Sequence, residues 1–320
     1  MDIKVSVIIP TYGRSELLVR AIDSVLAQTH RALEIIVVDD NPEGDAHRLA
    51  TRERLAGYID KGKVIYYPRR HNGGGALARN SGILRSTGEY ITFLDDDDYY
   101  HPQKIAHQLA FMRQGDYDVS LCDMDILKNG QINAGHYYRA RCDGLEDFML
   151  AGVAYTPMIM MRRSTAIAVR GFFNTPRYQD HIFLYRLLAV GARIGTVHER
   201  LAVHNDHDGE RITSSPKGII GYRNKMQFER RLMPQISPRA RKVMRLRHTC
   251  IDSRIITDGK SRLAGVTYGL KGIIYVNSGL MAGVYMKNII RNVFSAAFPT
   301  EGPCVTCGEG RTHPEEDYAL

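Results

Sequence analysis

The amino-acid sequence predicts an α/β fold, with a mostly parallel, doubly wound sheet flanked by helices. Two observations in the N-terminal third predict it. Short runs rich in Val and Ile are typical of buried parallel strands, and they alternate with segments whose apolar residues recur at helical spacing. Strands that alternate with helices form crossover units, which place parallel strands side by side in one sheet.

Each element can be predicted in chain order. The predicted strands are VSVIIP (5–10), EIIVVDD (34–40), VIYYP (64–68), EYITFL (89–94), DVSLCDMDIL (118–127) and TPMIMM (156–161). The predicted helices are 15–28, 75–87, a segment after Pro102, 179–190 and a basic helix opened by Ser237 and Pro238. The stretch 264–298 is apolar and interrupted by Gly, so the region after 215 is expected to be a mainly helical extension of the sheet domain.

Composition places the chain among ordinary globular proteins. It has 320 residues, 44% hydrophobic and 24% charged, which is enough apolar material for a real core. No run of about 18 uncharged apolar residues occurs, which argues against a conventional membrane-spanning helix. The N-terminus lacks the features of a secretory signal, and five cysteines are an odd and sparse set. These features predict a cytoplasmic protein in a reducing compartment.

The positive charge is concentrated in one block. The net charge is +8, yet residues 217–262 alone carry 13 Lys and Arg against three acids. Such a block predicts an anionic partner, either a membrane surface or a nucleic acid, unless it is simply a solvated helix face. The uncharged stretch 272–286 has 15 residues and is too short to span a bilayer. Attachment to an anionic membrane surface, a buried helical hairpin and a dimer interface all remain open.

Polar residues follow three predicted strands. Pro10 to Arg14 follow the first strand, Asp39 to Asn41 the second, and Asp95 to Asp98 the strand at 89–94. In open α/β sheets, ligands bind beyond the carboxyl ends of the strands. Neither the glycine pattern of dinucleotide-binding proteins nor that of P-loop proteins is present, so both classes are disfavoured.

The four consecutive aspartates are the sharpest chemical signal. Two carboxylates about 4 Å apart repel by about 1 kcal/mol in water and about 4 kcal/mol at an effective dielectric of 20. A divalent cation would offset this repulsion, and Mg²⁺ or Mn²⁺ prefers oxygen ligands and often shares its shell with phosphate oxygens. A plain acidic loop is the alternative, but it fits poorly between ITFL and the aromatic YYHP.

A glycine-rich stretch, 71–82, leads into the predicted helix 75–87 and includes its first turns. Its sequence is HNGGGALARNSG. Glycine backbone can approach a phosphate closely, and a helix N-terminus favours anions. A flexible turn explains the same residues equally well when they are taken alone.

Taken together, SVIIPTYGR, IIVVDDN, NGGGALARNSG and YITFLDDDDYYHP, in this order and spacing, resemble the family 2 glycosyltransferases of the GT-A fold. The resemblance covers residues 3–210. It implies a Rossmann-like catalytic domain over 1–215, followed by the helical region 216–320. It also implies an inverting enzyme that uses a nucleotide-sugar donor, most often a UDP-sugar, with Mn²⁺ or Mg²⁺.

The resemblance also implies roles for individual residues. The segment from Pro10 to Tyr12 would line the pocket of the base, and Asp40 would bind that base. Asp97 would be the direct metal ligand, while Asp95 or Asp96 would hold the ribose or the sugar. The full set of implied nucleotide-sugar-binding residues is Pro10, Thr11, Tyr12, Arg14, Asp40, Asn72, Arg79, Asp95 and Asp96.

Asp180 is the candidate general base. Family members carry a Glu-Asp pair at the start of a helix, and here Gln179 stands in place of the Glu while Asp180 keeps the carboxylate. An acid at a helix start can instead serve only the helix dipole, worth about 0.3–1 kcal/mol. His204 and His207 are further candidates for the metal, with Asp95, and Arg211 for a phosphate. The alternative is that His204 and His207 are ordinary histidines of a surface loop.

These residues predict one function and two alternatives. The predicted function is transfer of a hexosyl or N-acetylhexosaminyl group to a glycan or lipid-linked acceptor. The enzyme is expected on the cytoplasmic side, peripheral to the membrane. The chain is also expected to be able to self-associate. A catalytically silent sugar-nucleotide-binding protein is the first alternative. A nucleic-acid-binding protein is the second, and the acidic strand ends disfavour it because they would repel phosphates. Cys304 and Cys307 lack the second pair that a zinc site needs.

Overall fold

The structure is a computed structural model that describes residues 3–206, 216–259, 261–276 and 278–293. Within these ranges nine strands form one sheet. The strands are β1 Val5–Thr11, β2 Leu33–Asp39, β3 Ile65–Pro68, β4 Tyr90–Phe93, β5 Tyr99–Tyr100, β6 Val119–Lys128, β7 Gln131–Tyr138, β8 Met160–Arg162 and β9 Ile194–Asp206. The helices are α1 Ser15–Leu26, α2 Ala46–Asp60, α3 Gly75–Arg85, α4 Lys104–Gly115, α5 Leu145–Ala151, α6 Arg163–Ala168, α7 Gln179–Ala189, α8 Pro216–Leu232, α9 Pro238–Gly259, α10 Arg262–Leu270 and α11 Gly279–Val293.

The sheet is parallel in its first half and mixed beyond it. Its order is β3-β2-β1-β4-β8-β6-β9-β5, with β7 paired to β6. The pairs β3–β2, β2–β1 and β1–β4 are parallel, as the alternation of strands and helices predicts. Beyond β4, the short strand β8 is antiparallel to both neighbours, and the long β6–β9 pair is parallel again. The predicted α/β fold is therefore confirmed.

The core sits on both faces of the first strands. Every residue of β1 is buried, as its continuous apolar run predicts for a central parallel strand. Helix α1 packs an apolar stripe on this sheet, formed by Leu18, Ala21, Ile22 and Val25. Phe93, at the end of β4, makes edge contacts with Phe172 and Phe183, with ring centroids 5.0 and 6.4 Å apart. These aromatic contacts bring the start of α7 close to the aspartates that follow β4.

One predicted strand is partly wrong. The segment 156–161 is a 3₁₀ turn over Thr156–Met158, and a strand begins only at Met160. Pro157 explains the difference, because proline fixes φ and cannot donate to a ladder. Helix α2 and strand β7 were not predicted. Of the side chains of α2, only Thr51 and Leu55 are buried, so the helix carries little apolar periodicity.

Helix α8, the first helix after residue 215, packs on α7 and is joined to α9 by a buried glutamate. The carboxylate of Glu229 in α8 is buried and accepts hydrogen bonds from Tyr185 Oη of α7 at 2.9 Å and His248 Nε2 of α9 at 2.7 Å. Lys225 Nζ lies 3.3 Å from the same carboxylate. Burial alone would raise the pKa of Glu229, but Lys225 and His248 lower it to about 2. One buried ionic cluster thus joins three helices.

Two further features bear on the sequence predictions. None of the helices in the described residues is long and apolar enough to cross a membrane. Cys122, Cys142 and Cys250 are buried and unpaired. Cys304 and Cys307 lie outside the described residues, as do His207 and Arg211.

Candidate active site

The candidate site lies where the strand order of the sheet reverses. Strand β1 has β2 on one side and β4 on the other, and all three run parallel. Their carboxyl ends therefore share one edge, where a crevice opens in folds of this kind. Thr11 ends β1, and Asp95 to Asp98 follow β4 directly. The turn at the end of β2 is tied to β1 through the backbone N–H of Asp40, which donates to Thr11 O at 2.9 Å.

Asp96 joins β1 to the four consecutive aspartates, Asp95 to Asp98, which we call the acidic run. Its carboxylate accepts hydrogen bonds from Thr11 Oγ1 at 2.8 Å and from the Tyr12 backbone at 3.3 Å, and Arg14 Nη1 lies at 3.4 Å. Burial and the neighbouring Asp97 charge raise the pKa of Asp96 to about 7, although Arg14 opposes the shift. The side chain of Asp96 is 8% exposed and that of Asp95 is 33% exposed. Of the two, Asp95 is the one open to a ligand.

Arginines offset the remaining charge of the acidic run. Arg14 forms an ion pair with Asp97, and Arg20 in α1 donates to the backbone oxygen of Asp97 at 2.6 Å. Arg79 in α3 forms an ion pair with Asp95. Sequence reasoning missed Arg20, because its place on the polar side of α1 looks like that of any solvated residue.

Arg79 also links the acidic run to the candidate base. Its Nη1 donates to Gln179 Oε1 at 2.8 Å, and Gln179 Nε2 in turn donates to Thr175 O at 2.9 Å. The Nε atom of Arg79 is buried and, among the described residues, has no hydrogen-bond partner. A buried polar atom of this kind usually has a partner, so a ligand oxygen is a suitable one.

Asp180 lies at the first turn of α7. Its Oδ1 accepts hydrogen bonds from the backbone N–H of His181 at 2.7 Å and from the His181 ring at 3.1 Å. Burial alone would raise the pKa of Asp180, but the His181 contacts outweigh it and lower the pKa below its ordinary value. Asp180 is therefore ionised at neutral pH and able to accept a proton.

Asp40 organises the glycine-rich stretch. Its carboxylate accepts from the backbone of Gly74 at 2.7 Å and of Gly73 at about 3.1–3.2 Å, and it forms an ion pair with Arg69. Asn72 Nδ2 donates to the Asp40 backbone oxygen at 3.1 Å. Gly74 has φ +84°, a conformation that favours glycine. The loop predicted to approach a phosphate is thus held against the end of β2.

The last aspartate of the run pairs with β9. His204 Nδ1 lies 3.1 Å from Asp98 Oδ1, and the Asn205 backbone donates to the same oxygen at 2.9 Å. Burial raises the pKa of Asp98. Burial would lower the pKa of His204, but the Asp98 charge raises it to about 9. Neither residue by itself signals this pair in the sequence, because the two are 106 positions apart.

All the described site residues lie on or beside the edge of the sheet formed by the carboxyl ends of β1, β2 and β4, which we call the rim. A chain of contacts or adjacent backbone connects Pro10, Thr11, Tyr12, Arg14, Asp40, Asn72, Arg79, Asp95, Asp96, Asp97, Asp180 and His204. In the described ranges, no three His, Cys, Asp or Glu side chains converge as a complete cation site. Any cation here would need oxygen atoms from a ligand, which is common for Mg²⁺ and for phosphate-bound metals.

Carboxylates and arginines thus meet at the switch point of an α/β sheet, where ligands bind in folds of this kind. This chain belongs to glycosyl transferase family 2, whose sequence model matches residues 6–190. The amylovoran biosynthesis glycosyltransferase AmsB of Erwinia amylovora is 29% identical over 229 residues, which are 68% of this chain and 74% of AmsB. An uncharacterized glycosyltransferase of Rickettsia felis is 43% identical over 119 residues, 37% of this chain but only 19% of that relative.

Solved structures support the GT-A fold. S. aureus TarS in complex with UDP-GlcNAc aligns with a TM-score of 0.61 at 16% identity, covering 90% of this chain and 89% of that one. The mannosyltransferase PcManGT from Pyrobaculum calidifontis, in complex with GDP-Man and Mn²⁺, aligns with a TM-score of 0.54 at 13% identity, covering 92% and 88%. Identities this low support a shared fold and nothing finer. That fold agrees with the fold class predicted from the sequence.

Proposed function

We propose that this enzyme transfers a hexosyl or N-acetylhexosaminyl group from a nucleotide diphosphate donor, with a UDP-sugar favoured, to a hydroxyl of a glycan or lipid-linked acceptor. The observation that carries the proposal is the Arg79 side chain. It contacts both Asp95 in the acidic run and Gln179 beside Asp180, so the donor-binding and proton-accepting groups belong to one site. The TarS and AmsB likenesses support a sugar-nucleotide donor and a polysaccharide pathway.

Asp180 acts as the general base. Its lowered pKa keeps the carboxylate ionised, and His181 holds only Oδ1 in the described contacts. The acceptor hydroxyl gives its proton to this carboxylate as its oxygen attacks the anomeric carbon. The bond between that carbon and the donor diphosphate breaks, and the electron pair leaves on the diphosphate. A single displacement of this kind inverts the anomeric centre.

The residues of the rim fit a divalent cation. Asp97 and Asp95 supply carboxylate oxygens, the ligands that Mn²⁺ and Mg²⁺ prefer, and His204 lies beside the run through Asp98. Asp97 would hold the ion, with Asp95 and His204 as further ligands and His207 outside the described residues. When bound, such an ion supplies Lewis-acid neutralisation of the departing diphosphate. PcManGT, which shares the fold, was solved with Mn²⁺.

The remaining residues bind and orient the donor. The buried, unpartnered Nε of Arg79 can donate to a diphosphate oxygen. Asp40 and Asn72 hold the glycine loop at the end of β2. Asp40 would also bind the base, for which its carboxylate gives up a contact with Arg69 or with the loop. The exposed ring of Tyr12 offers a face for that base. Arg14 is held by Asp96 and Asp97 at the mouth of the site.

A catalytically silent sugar-nucleotide-binding protein is the second candidate. Gln179 favours it, because the amide replaces the usual Glu of the family pair. Asp180 keeps its carboxylate and is ionised, so we favour the active enzyme. Turnover by the wild type, abolished in Asp97→Asn, would eliminate the silent alternative.

The test is a thermal-shift panel of UDP-, GDP-, dTDP- and CMP-sugars, each with Mn²⁺ and with a chelator, beside an assay of nucleotide release. A donor at 100 times its Kd should add about 2.7 kcal/mol to stability. We expect one nucleotide class to shift the melting temperature only with metal, and Asp97→Asn to lose that shift. Asp60→Asn, on the exposed side of α2, is the matched control. Equal shifts with chelator, or none with any donor, would contradict the proposal.

A further inference from the structure

Helices α10 and α11 pack on α9 through small and polar residues. Gly265 lies against Thr257 so closely that an added Cβ would overlap its hydroxyl, and a Cβ on Gly269 would lie 2.7 Å from Ser253 Oγ. Ser253 Oγ donates to the Gly265 backbone at 2.7 Å and accepts from Asn292 Nδ2 at 2.5 Å. Much of the inward packing is therefore close backbone approach and hydrogen bonding, and the apolar cluster beside it is small.

The large aliphatic side chains of the same segment face outward. Seven of them are between 40% and 78% exposed: Leu263, Leu270, Ile273, Ile274, Val284, Met286 and Ile290. Small, hydrogen-bonded residues at helix contacts and large apolar residues on the outside are the arrangement found where helices meet lipid. A soluble protein buries such residues by preference. We call these seven residues, with Lys271 and Lys287, the C-terminal apolar surface.

Each helix has a buried side and an exposed side. Leu263 and Leu270 are seven residues apart, which keeps them on one stripe of α10, and Ile273 and Ile274 are exposed on the 3₁₀ turn that continues it. On α11, Met281 and Tyr285 are buried toward α9, whereas Met286 and Ile290 are exposed. Each helix thus turns some of its apolar side chains toward α9 and leaves others exposed.

The charges identify the occupant. The sequence from 259 to 300 contains no Asp or Glu, and its charged residues are Lys260, Arg262, Lys271, Lys287 and Arg291. Lys271 and Lys287 are exposed among the aliphatic residues. An apolar surface that carries two exposed lysines complements the anionic headgroups of a bilayer. A second copy of this chain would bring the same cations together, which opposes self-association through this surface.

We propose that the C-terminal apolar surface docks flat into the headgroup region of an anionic membrane. Its aliphatic side chains enter the boundary between headgroups and acyl chains, and its lysines contact lipid phosphates. The proposal concerns where the enzyme works rather than its chemistry, so it can fail while the proposed transferase activity stands.

The test is vesicle flotation of the full chain without donor. We expect binding to vesicles of phosphatidylcholine with phosphatidylglycerol, little binding to pure phosphatidylcholine, and weakening by salt. Ile273→Ser with Ile274→Ser should lower the affinity about tenfold or more, and Lys271→Glu with Lys287→Glu should remove the preference for anionic lipid. Leu84→Ser is the matched control, because Leu84 is 72% exposed on α3, away from this surface.

Three outcomes would overturn the proposal. The first is wild-type protein that fails to float with anionic vesicles. The second is equal loss of binding in Leu84→Ser and in the Ile273, Ile274 double variant. The third is a dimer in light-scattering measurements that the double variant dissociates, since it would assign this surface to a second copy. Thermal melting of each variant checks that the exposed substitutions leave the fold intact.

Discussion

Arg79 and Gln179 are hydrogen-bonded across 100 positions of sequence, with Arg79 Nη1 donating to Gln179 Oε1 at 2.8 Å. The same guanidinium forms an ion pair with Asp95. Gln179 is the residue before Asp180, so this bond fixes the start of α7 relative to the acidic run. The usual Glu would place a negative charge opposite Arg79, whereas Gln keeps the bond and leaves the charge out. The amide of Gln179 thus still accepts a hydrogen bond from Arg79.

Asp180→Asn should lower turnover by about 10²- to 10⁴-fold, because the amide cannot accept the acceptor's proton. Donor binding should stay the same, since Asp180 is not among the residues proposed to hold the donor. Nucleotide release and the donor-induced thermal shift, measured on the same samples, separate the two effects. Asp147→Asn is the control, because Asp147 is also an acid in the first turn of a helix. Equal turnover in Asp180→Asn and wild type would mean that Asp180 is not the general base and serves only the helix dipole.

Gln179→Glu should move the acid limb of the pH–rate profile to higher pH. A second carboxylate beside Asp180 disfavours its ionised form, and so raises a pKa that the His181 contacts now hold low. Gln179→Met, which removes the bond to Arg79 without adding charge, should leave that limb in place and weaken donor binding. An unchanged limb in Gln179→Glu would mean that Asp180 does not control the rate.

Lys104→Met should stabilise the protein at neutral pH, because it removes the cost of burying an amine that has no carboxylate partner among the described contacts. Lys104 is fully buried, donates to Thr92 Oγ1 and lies 4.1 Å from the Tyr100 ring; its side chain has no carboxylate partner among the described contacts. Burial lowers its pKa from 10.5 to about 7. The unfolded chain binds more protons between those values, so wild-type stability rises with pH across this window.

Urea unfolding at several pH values tests this. The wild type should gain stability from pH 7 toward 10.5, and Lys104→Met should lose that slope. Lys61→Met, at an exposed position, should keep the wild-type slope. A Lys104→Met protein less stable than the wild type would show that the hydrogen bond to Thr92 outweighs the cost of burying the amine.

Glu229→Gln should destabilise the protein by about 3–5 kcal/mol at neutral pH, because it leaves Lys225 and His248 without their buried counter-charge. The folded pKa of Glu229 is lowered from 4.5 to about 2. Its contribution is therefore present above pH 4.5 and is lost as the pH falls through that window toward 2. Denaturant midpoints should show a shallower acid loss in Glu229→Gln than in the wild type. Glu16→Gln, at a side chain that is 85% exposed, should follow the wild type.

Local patterns were enough to predict the elements that carry the site. Continuous apolar runs predicted β1, β2 and β4, and the polar residues directly after them were correctly expected at one edge, since parallel strands share the direction of their ends. TPMIMM was only partly a strand, because Pro157 imposes a turn that apolar content alone does not reveal. Helix α2 escaped prediction because it buries few of its side chains.

The sequence by itself determined the fold class, the family and the acidic strand end, because each rests on residues that are neighbours along the chain. The tertiary structure decided which of these residues meet. It paired Arg79 with Gln179 and Asp98 with His204, and it buried Asp96 while leaving Asp95 more open. It also turned Ile273 and Ile274 outward while Gly265 and Gly269 face α9. Periodicity fixes the faces of a helix or strand, but the partner of each face is selected only when distant segments pack.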